Sequence, residues 1–143
     1  MTHGADTSFL VAVEIREHTR HADAMHLLGE LLARGDRVAI APQVRAEFVH
    51  VVTDARRFEQ PFSMETALEK SERWWNAAET EQVLPTNIAV ESFHSWMLHL
   101  QLGRKRLLDT LLAATYRAAG VTSLLTLNAA DFTVFGEFAC LPA

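Results

Sequence analysis

Cysteine is almost absent from this chain: Cys140 stands alone, so no disulfide can close within it, and such usage favours a reducing, cytosolic setting. By itself Cys140 reads as a small buried hydrophobe near the C-terminus. Long apolar runs are missing too. No segment approaches the roughly 20 apolar residues that a membrane-spanning helix needs. The start, with an apolar run of only Phe9 to Val13 before Glu14, Arg16 and Glu17, is unlike a secretory signal. Positive charge is in short supply: 13 Lys and Arg stand against 18 Asp and Glu, a formal net charge of −5. Such a surface does not grip a polyanion unaided. That task would fall to local clusters, Arg56-Arg57 and Arg104-Lys105-Arg106, whose plain reading is solvated surface charge. What is present, 49% hydrophobic and 22% charged residues over 143 positions, predicts one cytoplasmic globular domain spanning residues 1–143.

Six glycines and four prolines punctuate alternating helix-like and strand-like segments. A short stretch ending at Asp6 leads into apolar Phe9 to Ile15. Residues 19–34 carry Ala22, Met25, Leu28 and Leu32 at helical spacing and stop at Gly35. Residues 37–41 are short and β-branched, hence a buried strand, and Pro42 opens a helix reaching about residue 55 with Val44, Phe48, Val51 and Val52 on its apolar side. A helix over 62–78 with Ser63 as N-cap, a strand over 81–84 and a helix over 89–102 closed by Gly103 follow. Residues 107–119 form a strong helix whose apolar stripe is Leu108, Leu111, Leu112, Thr115 and Ala119, and 123–127 a buried strand. This alternation predicts an α/β fold with a short central parallel sheet covered by helices, because parallel neighbours require crossovers.

Against that apolar background four acids stand out: Asp6, Glu47, Asp109 and Asp131. A carboxylate on an apolar face is costly to bury without compensation, so four that converge point to a divalent cation. Glu47 shares its helical face with Val44 and Val51, which makes it core-facing; the plain alternative is an ion pair with His50. Asp109 precedes Leu112 and Ala113 on one face and also reads as a first-turn charge favoured by the helix dipole. Asp6-Thr7-Ser8 and Asn128 with Asp131 follow predicted strands, the rim where ligands sit in parallel sheets, although each also resembles a helix cap.

The ordered segments A-D-T-S-F-L, P-Q-V-R-A-E-F, G-R-K-R-L-L-D-T-L-L-A-A-T and L-L-T-L-N-A-A-D-F resemble the PIN-domain nucleases, in particular VapC-type toxins of bacterial toxin–antitoxin pairs. The resemblance runs over nearly the whole chain. It implies a three-layer α/β/α fold and an acidic quartet of Asp6, Glu47, Asp109 and Asp131 holding Mg²⁺ or Mn²⁺. It also implies RNA cleavage leaving a 5′-phosphate and 3′-hydroxyl, a VapB-like antitoxin partner and a homodimer. Thr7, Ser8, Asn128, Arg104 and Lys105 would contact substrate, the last two by steering the RNA backbone. The chain departs from the family at Ser8, where Asn is frequent, and either Asn128 or Asp131 supplies the fourth site position. Hard oxygen ligands suit Mg²⁺, and a bound cation lowers the pKa of water and stabilises phosphoryl charge. Glu47 or Asp131 would then orient or deprotonate the attacking water.

Other features read more plainly. His21 and His26, like His94 and His99, are five apart and share no helical face, against a zinc site. Trp74, Trp75 and Trp96 are core or interface anchors more readily than base-stacking platforms. The helix over 62–78 is a candidate dimer seam or antitoxin groove. A rival reading is a Mg²⁺-binding receiver domain, which wants a phosphoacceptor Asp ending a central strand and a Lys at a later strand end; the sequence suggests neither. The other rival is a binding module that kept the PIN fold without catalysis.

Overall fold

The computed structural model describes residues 1–143. The order is β1 (Thr2–Ala5), α1 (Thr7–Glu14), α2 (His21–Ala33), β2 (Arg37–Ile40), α3 (Pro42–Val52), α4 (Met64–Trp75), β3 (Thr80–Gln82), α5 (Asn87–His99), a 3₁₀ turn (Arg104–Arg106), α6 (Leu107–Ala118), β4 (Ser123–Leu125), α7 (Ala130–Thr133) and β5 (Ala139–Leu141). The five strands pair in parallel in the order β3-β2-β1-β4-β5. Successive strands run outward on one side of β1 and then return to its other side at β4. With right-handed crossovers this places α1 to α4 on one face and α5 to α7 on the other, and the packing of α1 on α2 and α3, and of α6 on α5 and α7, follows that division. The fold is therefore the three-layer α/β/α arrangement of the sequence expectation.

The central strand is short and nearly all buried because it is covered on both faces. Gly4 in β1 has no side chain for a packing reason: a Cβ there would lie 2.6 Å from Tyr116 Cδ2. Tyr116, wholly buried on α6, fills that space and donates its hydroxyl to the Ala5 carbonyl at 2.6 Å, with Ala39 O at 3.2 Å. One ring thus ties α6 to the two central strands beside Asp6.

Several element ends match their local chemistry. Ser63 Oγ accepts from Thr66 N at 3.1 Å, as an N-cap should, and Gly35 leaves α2 at φ 81°, a conformation that favours glycine. Other expectations shift. The strands predicted over 81–84 and 123–127 are Thr80–Gln82 and Ser123–Leu125, while β5 and α7 had no clear sequence signal. On α6 the expected stripe holds at Leu112 and Thr115, which are buried, but not at its ends: Leu108 is 67% exposed and Ala119 lies outside the core, whereas Thr110 and Tyr116 are fully buried. On α2 the core side is Ala24 and Leu31 with Leu27 and Leu28 packed beside them, and Met25 faces solvent. No helix is long and apolar enough to cross a membrane.

Candidate functional site

Parallel strands bring their carboxyl ends to one rim, and in open α/β sheets ligands bind where the strand order reverses. Here that point lies between β1 and β4. Asp6 follows β1 directly, and Thr126 to Asp131 follow β4. A cleft of about 760 Å³ opens above them, lined by all four sequence-predicted acids together with Thr7, Ser8 and Asn128. Arg104 and Lys105 are exposed on the 3₁₀ turn and do not line it.

Asp6 is the most enclosed of the four, 7% exposed. Its Oδ2 accepts from Ser8 Oγ and from Thr126 Oγ1, both at 2.8 Å. Each hydroxyl is fixed in turn from the β4 side: Leu127 N donates to Ser8 Oγ, and Asn128 N to Thr126 Oγ1, both at 3.0 Å. Ser8, at the position where the sequence departs from the family pattern, thus orients Asp6 itself. Burial raises the Asp6 pKa from its ordinary value, against the two hydroxyl bonds, and the charge of Asp131 adds to the rise.

Asp109 projects from the first turn of α6. Its pKa is pushed up to about 6 by burial and then by the charges of Asp6 and Asp131, with Arg106 opposing. Arg106 Nε lies 3.9 Å from Asp109 Oδ2, and an Nη of the same guanidinium donates to the backbone carbonyl of Asp131. One cation therefore bridges α6 to α7 beneath the acids. Glu47 corrects the sequence expectation. It is not core-facing; the buried side of α3 is Val44, Phe48 and Val52, while Glu47 is exposed at the lip. It forms no ion pair with His50. Its carboxyl end is still partly shielded where it lines the cleft, and that shielding, followed by the charge of Asp6, raises its pKa.

The donor chemistry fits a hard divalent cation: four carboxylates share one cleft, and the charges of Asp6, Asp131 and Glu47 all raise the affinity of Asp109 for its proton, which is uncompensated negative charge. They line the cleft without closing a cage, since no three His, Cys, Asp or Glu side chains lie close enough to hold one ion together. Mg²⁺ usually keeps several waters and takes only one or two carboxylates, which suits that spacing.

A model of the PIN domain family matches residues 5–135. The chain belongs to the PIN-domain family. Solved structures similar to this PIN domain include VapC20 of Mycobacterium tuberculosis, described as a sarcin–ricin loop cleaving toxin, with 18% identity, a TM-score of 0.70 and 97% of each chain covered. VapBC2 of Rickettsia felis bound to a promoter DNA fragment matches at 19% identity and a TM-score of 0.69, covering 98% of this chain and 97% of the other. VapBC-1 of nontypeable Haemophilus influenzae matches at 14% identity and 0.69, covering 98% and 96%. A search of curated proteins finds no match.

Sequence reasoning missed several residues of this PIN-domain cleft. Thr126 sat unremarked inside L-T-L-N, and Arg106, read as surface charge, gave a signal in its spacing three residues before Asp109. His18, Arg20, Arg57 and Phe58 line the same cleft as the acids; they come from two loops far apart in sequence, and no short motif joins them. The receiver reading also needs correction in one respect. An Asp does end the central strand, namely Asp6, but the two lysines, Lys70 and Lys105, lie on α4 and the 3₁₀ turn, not at a strand end.

Proposed function

We propose that this PIN domain, residues 1–143, is a metal-dependent endoribonuclease and the toxin of a VapBC-type pair, cutting RNA to leave a 5′-phosphate and a 3′-hydroxyl. The observation that carries this reading is the meeting of Asp6, Glu47, Asp109 and Asp131 in one cleft at the strand-order reversal. Asp6, Asp109 and Asp131, with Glu47 at the lip, would hold Mg²⁺ or Mn²⁺, one or two of them directly and the others through its waters. When bound, such an ion neutralises the acids, stabilises charge on the phosphoryl oxygens and eases loss of a proton from water. The chain's own residues do the rest. Ser8 and Thr126 fix the Asp6 carboxylate, and Arg106 holds Asp109 and the Asp131 backbone in register.

Glu47 would take the proton of the attacking water, because its exposed position at the lip leaves water access. Asn128, exposed on the rim beside Asp131, and Thr7, buried at the floor, complete the polar lining, with Arg104 and Lys105 outside it for the RNA backbone. A VapB-like antitoxin would silence the cleft, and the toxin would work in the cytoplasm as a homodimer. The relatives crystallised as VapBC pairs support the antitoxin.

The test is incubation of antitoxin-free protein with a mixed RNA pool, with and without Mg²⁺ or Mn²⁺, beside Asp6→Asn and Asp109→Asn. Cleavage that needs the metal and is lost in both folded variants is expected. A folded variant that cleaves as well as wild type would overturn the assignment.

A further inference from the structure

Two loops line the cleft together with the acids, residues 15–20 between α1 and α2 and residues 53–63 between α3 and α4. The loops are tied to each other: the Glu17 carboxylate accepts from the backbone N–H groups of Glu59 and Gln60 at 3.4 and 3.3 Å. Each presents groups that its own contacts leave unused. Asp54 takes Arg57 only through Nε, at 3.3 Å, so both Nη groups of that guanidinium have no protein acceptor. Asp23 likewise meets Arg20 only at Nε. His18 Nδ1 accepts the Arg20 backbone N–H at 2.9 Å, which puts the proton of the neutral ring on Nε2, again without a protein partner. Phe58 adds a half-buried ring.

Two guanidinium forks, one imidazole N–H and one aromatic face, sharing the cleft with four carboxylates, make a surface of mixed character. An acidic peptide would offer the Phe58 and His18 rings no base to stack on. A nucleic-acid strand crossing the cleft meets these loops favourably, because its phosphates pair with arginine forks and its bases stack on aromatic and imidazole rings, while the acids would accept it only through the cation that neutralises them. The volume, about 760 Å³, lies in the range of roughly 300–1,000 Å³ typical of small-ligand sites, enough for a nucleotide.

We propose that His18, Arg57 and Phe58, with Arg20, form a nucleotide subsite that holds the residue next to the scissile phosphate, its phosphate on the arginines and its base against Phe58 and His18. The proposal rests on the RNA-cleaving reading and makes these loops the determinants of which nucleotide is accepted there.

Its test separates the two. Binding of a fluorescein-labelled single-stranded RNA of mixed sequence is followed by anisotropy in Ca²⁺, the RNA being checked intact on a gel. Wild type is compared with His18→Ala, Arg57→Ala and Phe58→Ala, and with Arg34→Ala as a cationic control distant from the cleft. Each cleft variant is expected to bind about tenfold more weakly, in line with the loss of one base-stacking or phosphate contact. Arg57→Ala should also show a shallower salt dependence, Phe58→Trp should restore affinity, and Arg34→Ala should match wild type. In Mg²⁺ or Mn²⁺ the cleft variants should raise KM with little change in kcat, and Phe58→Ala should alter the pattern of cut sites. Folded cleft variants that bind like wild type, or wild type that binds no RNA, would overturn the subsite. Wild type that binds RNA through these residues but never cleaves it would overturn the nuclease reading and leave the subsite standing.

Discussion

At the residue scale, the acids of the cleft act against folding until something neutralises them. Asp109, raised from 3.8 to about 6, binds its proton more tightly folded than unfolded. Below the lower value it is protonated in both states and contributes nothing; above the upper value its charge opposes folding. In EDTA at neutral pH, Asp109→Asn should therefore melt higher than wild type, by on the order of 1 kcal/mol after discounting for partial exposure. The gain should fade as the pH falls towards about 4. A variant that melts lower at neutral pH would show that the carboxylate is already compensated. Arg106 works in the opposite direction, holding the Asp109 pKa down. Arg106→Ala should push that pKa further up, as read by carbon NMR of labelled aspartate, and loosen α7 by removing its bond to the Asp131 carbonyl. An unmoved Asp109 titration would remove Arg106 from the site. Asp6 and Asp109 could be picked out from the sequence because each sits among apolar neighbours. The bridge from Arg106 to Asp131 could not, since it joins residues 25 apart in the chain.

At the element scale, the contact between Gly4 and Tyr116 sets how close α6 lies to β1. Gly4→Ala pushes a Cβ into the ring and should cost roughly 1–3 kcal/mol through overpacking. Tyr116→Phe keeps the ring but leaves the Ala5 carbonyl without its 2.6 Å donor, a loss of about 1–3 kcal/mol. Urea unfolding measures both, and unchanged midpoints would contradict the packing argument. Because Ala5 precedes Asp6, both variants should also weaken Mn²⁺ binding more than their stability loss alone explains. The helix over α6 was legible from its periodicity, but its buried face only in part, at Leu112 and Thr115. The run L-L-D-T-L-L-A-A-T-Y offers apolar side chains in several directions, and only the sheet beneath selects Thr110 and Tyr116 over Leu108 and Ala119.

At the scale of the whole molecule, a second polar network lies at the other end of the sheet. His3 and Ser123 are both nearly inaccessible, and His3 bridges from Ser123 Oγ at 2.7 Å to Asp36 Oδ2 at 2.9 Å. Asp36 also takes the N-terminal amine and Arg34, each at 3.2 Å. The order Ser-His-Asp matches a hydrolase triad, but Ser123 opens onto no cavity, so the chain of bonds cross-ties β1, β4 and the approach to β2. These donors, His3 first and then the N-terminal amine, hold the Asp36 carboxyl well below the usual carboxylate range. A depressed folded value stabilises above the unfolded pKa and is lost as the pH falls through the folded one. Asp36→Asn should thus lower the melting temperature at neutral pH and progressively less in strong acid. A pH-independent difference would show that the carboxylate charge is not the source of that stability.

The alternation of strands and helices as far as β4, the rim at the strands' carboxyl ends as a place for ligands, and the four acids as candidates were all legible in the sequence, because each depends on local spacing and on the cost of a carboxylate among apolar residues. Only the tertiary structure decided where the strand order reverses, that Glu47 stands at an exposed lip, that Ser8 and Thr126 orient Asp6, and that His18 and Arg57 line the same cleft as the acids. The physical reason is distance along the chain: those relations join segments that meet only after the sheet has formed, and chain-local patterns carry no information about which face of one element a remote loop will cover.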